Sequence, residues 1–249
     1  KLKERSKFGL IGRNIEYSFS RKYFLEKFNS DTNLSGYIYE NFDIESINLI
    51  NNFIYDKDLG GLNVTIPYKE VIIPYLDELS GEAKEIGAVN TICFENDKIT
   101  GHNTDLFGFT ESLKVNLINN IDSMIIMGSG GAAKMIIYFC KKNKIPFNVV
   151  SRKKSKDYLA YRDINHSLFR GNVLIVNCTP VGTYPNINEC PDLPYNLLEK
   201  ENILYDLIYN PSETLFIKKG KDRGCRTING YEMLKFQAEM SWNLWTKSP

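Results

Sequence analysis

Apolar and polar positions along the chain form two successive alternations of strand-like and helix-like segments. In the first, "KFGLIG" reads as a strand and residues 20–29 as a helix. "SGYIYENFD" follows as a strand, and 45–55 carries apolar residues at helical spacing. "GLNVTIP" is a third strand, with a helix predicted from Pro67, a residue suited to a first helical turn. "AVNTICFEN" and "KITGHN" flank Asn96-Asp97, a hairpin signal.

The second alternation begins near Asp122. "SMIIMG" is a strand, and "GGAAKMIIYFCKKNK" is a helix with lysines in its last turn, where the dipole favours cations. "PFNVVSR", "NVLIVNCTP" and "NILYDLIY" are strands, and "GYEMLKFQAEMSWNLWTK" is a helix with a broad apolar face. Such alternation predicts the α/β class with largely parallel sheets, here as two α/β domains. The break falls near 105–108, with the C-terminal helix returning to the first domain. Residues 1–105 with 231–249 are expected to form one domain, and 106–230 the other.

Composition narrows the choice of partner. The 31 basic and 30 acidic residues nearly cancel, so no nucleic-acid partner is expected. No apolar run approaches the roughly 18–20 residues that span a bilayer. The charged start "KLKERSK" has no apolar segment of the signal-peptide kind. Cys93, Cys140, Cys178, Cys190 and Cys225 are scattered, without a C-x-x-C, and the two histidines lie far apart. Neither a disulfide framework nor a metal site is expected, and a cytoplasmic location fits. A monomer and a homodimer both remain open.

"MGSGGAAK" supplies Gly128-x-Gly130-x-x-Ala133 between a buried-type strand and a helix, the setting a dinucleotide fingerprint requires. Gly128 permits the tight turn, Gly130 lets the backbone approach a pyrophosphate, and Ala133 allows close helix–strand packing. The helix N-terminus favours the anion. The next strand ends in Ser151, Arg152, Lys153, Lys154 and Lys156, where an NAD site usually has an acidic residue for the ribose hydroxyl. A basic cluster attracts a 2′-phosphate, so NADP is expected over NAD; a solvated basic loop is the plainer alternative.

Lys69 in "NVTIPYKE" falls in the first turn of the helix predicted from Pro67, where the dipole disfavours a cation. A residue that breaks a local rule is often functional, and a lysine that ionises less readily suits proton transfer. Asp105 in "GHNTDLFGF" opens another helix. It either pairs with Lys69 and orients it or caps that helix. In "IEYSFSRKYF", Ser20 reads as a helix cap. On an extended approach Ser18 and Ser20, at i and i+2, face one side, beside a helix N-terminus that suits a carboxylate.

Together "GLIG…YSFS", "GLNVTIPYK", "IGAVNTI", "GHNTDLFGF", "GSGGAA", "NCTPVGT", "DLIYNP" and "NGYEMLKFQA" resemble the shikimate dehydrogenase family over nearly the whole chain. The resemblance implies a substrate domain, a Rossmann-type NADP domain and a cleft between them. It also implies reversible, NADPH-dependent reduction of 3-dehydroshikimate to shikimate, a step toward chorismate and the aromatic amino acids. By motif, Lys69 and Asp105 match the catalytic pair, and Ser18 and Ser20 the hold on the substrate carboxylate. Asn63, Thr65, Asn90, Tyr209 and Gln237 match positions that bind substrate hydroxyls or close the pocket. Gly128, Ser129, Gly130, Gly131 and Ala132 match the pyrophosphate loop. Ser151, Arg152 and Lys156 match the 2′-phosphate stretch, and Thr179, Val181, Gly230 and Met233 the nicotinamide end.

The chain departs from the family pattern in places. Asn14 and Arg21 stand where the family has Pro, and Tyr17 and Tyr68 where it has His. Ser151 replaces the usual Asn, and Lys153 the usual Thr. These changes bear on the carboxylate end and the adenosine contacts. Competing expectations are a quinate/shikimate dehydrogenase with broader substrate or NAD use, and a non-catalytic NADP-binding regulator on the same fold.

Overall fold

The computed structural model describes residues 6–16, 18–152 and 156–246. Tyr17, Lys153 and Lys154 lie outside the described residues. The chain divides into two units, Lys1–Thr104 with Ala238–Pro249, and Asp105–Gln237.

The first unit contains β1 (Lys7–Gly12), α1 (Phe19–Ser30), β2 (Ile38–Asp43), β3 (Leu59–Val64), β4 (Glu78–Leu79), α2 (Gly81–Ile86), β5 (Thr91–Glu95) and β6 (Lys98–His102). Its sheet runs β2-β1-β3-β5-β6-β4, with β1 parallel to both neighbours and β5 antiparallel to β3 and β6. β1 is buried on both faces, as its near-continuous apolar sequence requires. Phe8 and Leu10 face a cluster with Phe24, Phe28, Tyr39 and Trp245, whereas Ile11 faces Ile50, Leu62 and Val64. The β5–β6 hairpin turns at Asn96 and Asp97, with φ of 50° and 61°, the left-handed pair that matches strand twist.

Two expected helices did not form. Residues 45–55 hold only a 3₁₀ segment, Ile47–Asn52. Ile50 and Ile54 are buried at helical spacing, but the stretch is rich in Ile and Asn, poor helix formers. After Pro67 the chain makes turns and then the 3₁₀ segment Ile73–Tyr75. Pro74 contributes, because it lacks the N–H that a continuing α-helix would bond to Glu70 O, and the β-branched run Val71-Ile72-Ile73 has low helix propensity. Lys69 therefore lies in a turn, not in the first turn of a helix, and no dipole of its own helix acts on it.

The second unit contains α3 (Asp105–Val115), β7 (Ser123–Met127), α4 (Gly131–Asn143), β8 (Phe147–Ser151), β9 (Leu159–Ala160), β10 (Val173–Asn177), β11 (Ile203–Asp206), α5 (Leu215–Asp222) and β12 (Arg226–Ile228). α6 (Tyr231–Thr246) runs across the division between the units. The second sheet is wholly parallel in the order β12-β11-β10-β7-β8-β9. Strand order reverses between β7 and β10, and ligands of such sheets bind at the strand ends beside that reversal. α4 buries Met135, Ile136, Phe139 and Cys140 on one face. α2 and α5, of 6 and 8 residues, are too short to announce themselves by periodicity.

Candidate active site

Within the first unit, polar side chains meet at the ends of the strands. Asn63, at 3% exposure on β3, donates to Ser241 Oγ at 3.0 Å and lies 3.3 Å from both Asn90 O and Thr91 Oγ1. Its Oδ1 accepts from Tyr39 Oη at 2.8 Å. Ser241 Oγ also lies 2.8 Å from Thr91 Oγ1 and 3.1 Å from Thr104 Oγ1. Ser20 joins by hydrogen-bonding Tyr39, whose hydroxyl is pushed well up by burial, the Ser20 bond opposing the shift. The structure thus brings Ser20, Asn63 and Asn90 into one buried network. Each polar atom there needs a partner, because burying it alone costs about 1–3 kcal/mol.

The serine pair differs from expectation. α1 begins at Phe19, so Ser18 holds the cap position, with extended backbone and no side-chain capping bond. Ser20 lies inside the first turn and is buried. The two hydroxyls are therefore not related as alternate residues of one extended segment. The loop before Ser18 is braced by Asp43, whose carboxylate accepts from Asn14 N at 2.9 Å and Ile15 N at 3.1 Å. Asn41 adds a bond to Ile15 O at 2.9 Å. Asn14 adopts φ 56°, which Asn tolerates. Arg21 is exposed on α1.

Lys69 is half-buried, and its carbonyl accepts from Val89 N at 2.7 Å. The following residue, Asn90, accepts from Val64 N through its carbonyl at 2.8 Å. Its side chain accepts from Thr104 N at 2.6 Å and donates to Thr104 Oγ1 at 2.9 Å. Asn103 Nδ2 donates to Ala88 O at 3.0 Å. One segment, 88–90, therefore braces the backbone of Lys69 and of the residues just before Asp105. Tyr68 anchors the same turn from the other side, donating to Ile44 O at 2.5 Å. Thr65 N donates to Ile11 O at 2.9 Å. Asp105 is buried at the first position of α3, where the helix field favours an anion.

In the second unit, β7 ends in the glycine loop. Gly128 has φ of 113°, a conformation that excludes side chains, and its N–H donates to Val150 O at 2.8 Å. Gly130 precedes α4 and has no side chain to cap its first-turn N–H groups. A Cβ on Gly130 would meet no protein atom within 4 Å. Bare amides beside open space fit a pyrophosphate. Ser129 is exposed, Gly131 and Ala132 are half-buried, and Ala133 packs fully buried. At the β8 end Ser151 is half-buried, and Arg152 and Lys156 are exposed, which fits a 2′-phosphate.

Beyond β10, Thr179 N and Oγ1 donate to Asn177 Oδ1 at 3.0 and 2.7 Å, and Val181 N lies 3.3 Å from Thr179 Oγ1. Asn177 in turn donates to Asp206 Oδ1 at 3.0 Å. Gly230 is fixed by close approach: a Cβ there would lie 2.1 Å from Leu207 O. Tyr209 is half-buried just past β11, and Met233 and Gln237 are buried on α6, with Gln237 Nε2 donating to Leu234 O at 3.0 Å.

Tyr39, Asp43, Thr91, Thr104, Asn177, Asp206 and Ser241 carry this framework, and sequence reasoning missed them. A polar residue closing a buried apolar strand, as in "VLIVN" and "ILYD", was the available signal. Among the described residues no group of His, Cys, Asp or Glu is placed to hold a metal, and no helix is long and apolar enough to cross a membrane.

Residues 10–92 match the family model described as the shikimate dehydrogenase substrate binding domain. The chain is 36% identical to a shikimate dehydrogenase (NADP(+)) of Methanococcus vannielii, covering 96% of this chain and 90% of that protein. It is 39% identical to one of Clostridium perfringens, covering 95% and 92%. The crystal structure of shikimate 5-dehydrogenase from Thermus thermophilus in complex with NADP(H) and shikimate superimposes with a TM-score of 0.85. It is 28% identical and covers 96% of this chain and 93% of its own.

Proposed function

The chain belongs to the shikimate dehydrogenase family, and we propose that Lys69 and Asp105 are the acid–base pair with which it interconverts 3-dehydroshikimate and shikimate. The activity is that of an NADP-dependent oxidoreductase acting on a CH–OH group. The bound nicotinamide supplies the hydride in one direction and accepts it in the other.

In the reducing direction negative charge grows on the substrate carbonyl oxygen. Lys69 stabilises that charge and delivers the proton, a placed charge being a large contribution to such catalysis. Asp105, the second member of the proposed pair, accepts from the reacting hydroxyl. Ser18, at the α1 cap without a capping bond, donates to the substrate carboxylate, and Ser20 stiffens this end through Tyr39. Asn63, Thr65, Asn90, Tyr209 and Gln237 bind the hydroxyls or close the pocket. Gly128, Ser129, Gly130, Gly131 and Ala132 hold the pyrophosphate by backbone. Ser151, Arg152 and Lys156 hold the 2′-phosphate, and Thr179, Val181, Gly230 and Met233 line the nicotinamide end.

The observation that carries the catalytic assignment is the 88–90 segment, which braces both Lys69 and the approach to Asp105. Five free thiols accord with a reducing cytoplasm. Following reduced nicotinamide by its absorbance, with purified protein, shikimate and NADP, tests the function. Steady turnover supports it, and absence of turnover by folded protein refutes it.

A further inference from the structure

Two loops leave neighbouring parallel strands β10 and β11, and one buried pair ties them together. Asp206 is fully buried at the end of β11, and Asn177 is fully buried at the end of β10. Asp206 Oδ1 accepts from Asn177 Nδ2 at 3.0 Å and from Ile208 N at 3.1 Å. Asp206 Oδ2 accepts from Thr214 Oγ1 at 2.5 Å. Thr214 is itself buried and caps α5, accepting from Ile217 N at 3.3 Å. All of these carboxylate partners are neutral donors. From Asn177 the bonds continue outward to Thr179 N and Oγ1, and Asn177 Nδ2 lies 3.4 Å from Val181 O. Leu207 N also donates to Asn177 O at 3.1 Å.

A buried carboxylate held by neutral donors is a costly way to stabilise a fold. Burial pushes Asp206 up to about 6, against the donors that hold it down. What the pair achieves is geometric: Asn177 is held in one amide orientation, because its Nδ2 must face the carboxylate. Its Oδ1 is then fixed toward the 179–181 loop. The same carboxylate fixes the start of the 207–209 turn through Ile208 N.

We propose that the Asp206–Asn177 pair is a positioning device for the cofactor's nicotinamide end, setting the 179–181 loop without touching the cofactor itself. This rests on the NADP-dependent reading above and on the place given there to Thr179 and Val181. The glycine loop abuts Thr179 at Gly128, but the 2′-phosphate and adenosine contacts belong to the β8 end, which β7 separates from this pair. Loosening the pair should therefore disturb one end of the cofactor and spare the other.

The test compares wild type, Asp206→Ala and Asp206→Asn. NADP is one probe, and adenosine 2′,5′-bisphosphate, which has the 2′-phosphate and no nicotinamide, is the other. Asp206→Ala should lower kcat by about 10–10²-fold, as expected for misplacement near 1 Å, and weaken NADP. Binding of adenosine 2′,5′-bisphosphate should stay within about twofold, the scatter for a site not perturbed. Asp206→Asn should recover most of kcat, because its amide oxygen still accepts from Asn177 and Ile208. A purely structural role predicts a lower melting temperature with kcat per folded molecule and both affinities unchanged, or equal loss of both probes. Either result overturns the proposal. If Asp206→Ala does not fold, Asn177→Ala is read by the same criteria, since it leaves Asp206 its bonds from Ile208 and Thr214. A wild-type protein that binds NADP but does not turn over shikimate refutes the functional reading instead. In that case the two-probe comparison still decides the positioning role.

Discussion

On the proposed assignment of site residues, the two units prepare their ligands by opposite means. The first gathers side chains: Ser20, Tyr39, Asn63, Asn90, Thr91, Thr104 and Ser241 hydrogen-bond one another inside it. The second offers bare backbone at Gly128 and Gly130, with the first turn of α4 behind it. A side-chain network reads the hydroxyl pattern of one small molecule, and each member is needed to satisfy another. A backbone cradle reads only a phosphate's charge and size, and it depends on what is missing, a Cβ. Single substitutions should therefore injure the first unit through lost bonds and the second through added atoms.

The largest effect should come from Lys69, the proposed proton donor. Lys69→Ala should reduce kcat by about 10²–10⁴-fold, the range for a placed acid–base group, with a much smaller change in KM; steady-state kinetics reads this directly. Next is the pH dependence of stability due to Asp206. Its carboxyl is raised from 3.8 to about 6 in the folded state, so its contribution is greatest below about pH 4 and is lost as pH rises through 6. At about 1.4 kcal/mol per unit this amounts to about 3 kcal/mol. Denaturant unfolding across that window should show the decline in wild type and its absence in Asp206→Asn. Ser241→Ala removes a hydroxyl shared by Asn63, Thr91 and Thr104 and should cost about 1–3 kcal/mol. It should raise KM for shikimate and leave KM for NADP alone; the reverse split would break the contrast between the units. Gly130→Ala is the converse. Its Cβ meets no protein atom, so the melting temperature should hold while KM for NADP rises about tenfold, roughly 1.4 kcal/mol of lost binding.

The contrast also explains what is legible in the sequence. The glycine loop is legible because its conformation demands particular residues at adjacent positions, and so is the Asn96-Asp97 hairpin. The parallel core strands β7 and β10 are legible as unbroken apolar runs. The 67–76 turn is misleading because Pro67 suits a helix start, while Pro74, seven residues on, and the β-branched run before it disfavour its continuation. Ser20 reads as the α1 cap, since a cap two residues earlier, at Ser18, leaves a similar local pattern. The network of the first unit is not legible at all: Asn63 and Ser241 are 178 positions apart and meet only when α6 returns to the sheet. Asn177 and Asp206 close apolar strands as lone polar residues, a mark that carries meaning only once the strands are known to be neighbours.

This chain moves a hydride between NADP and shikimate. Initial rates with shikimate and quinate, each paired with NADP and NAD, test it most directly. Turnover of shikimate with NADP is expected, with a markedly higher KM for NAD and far slower use of quinate. Preference for NAD, or for quinate, would contradict it.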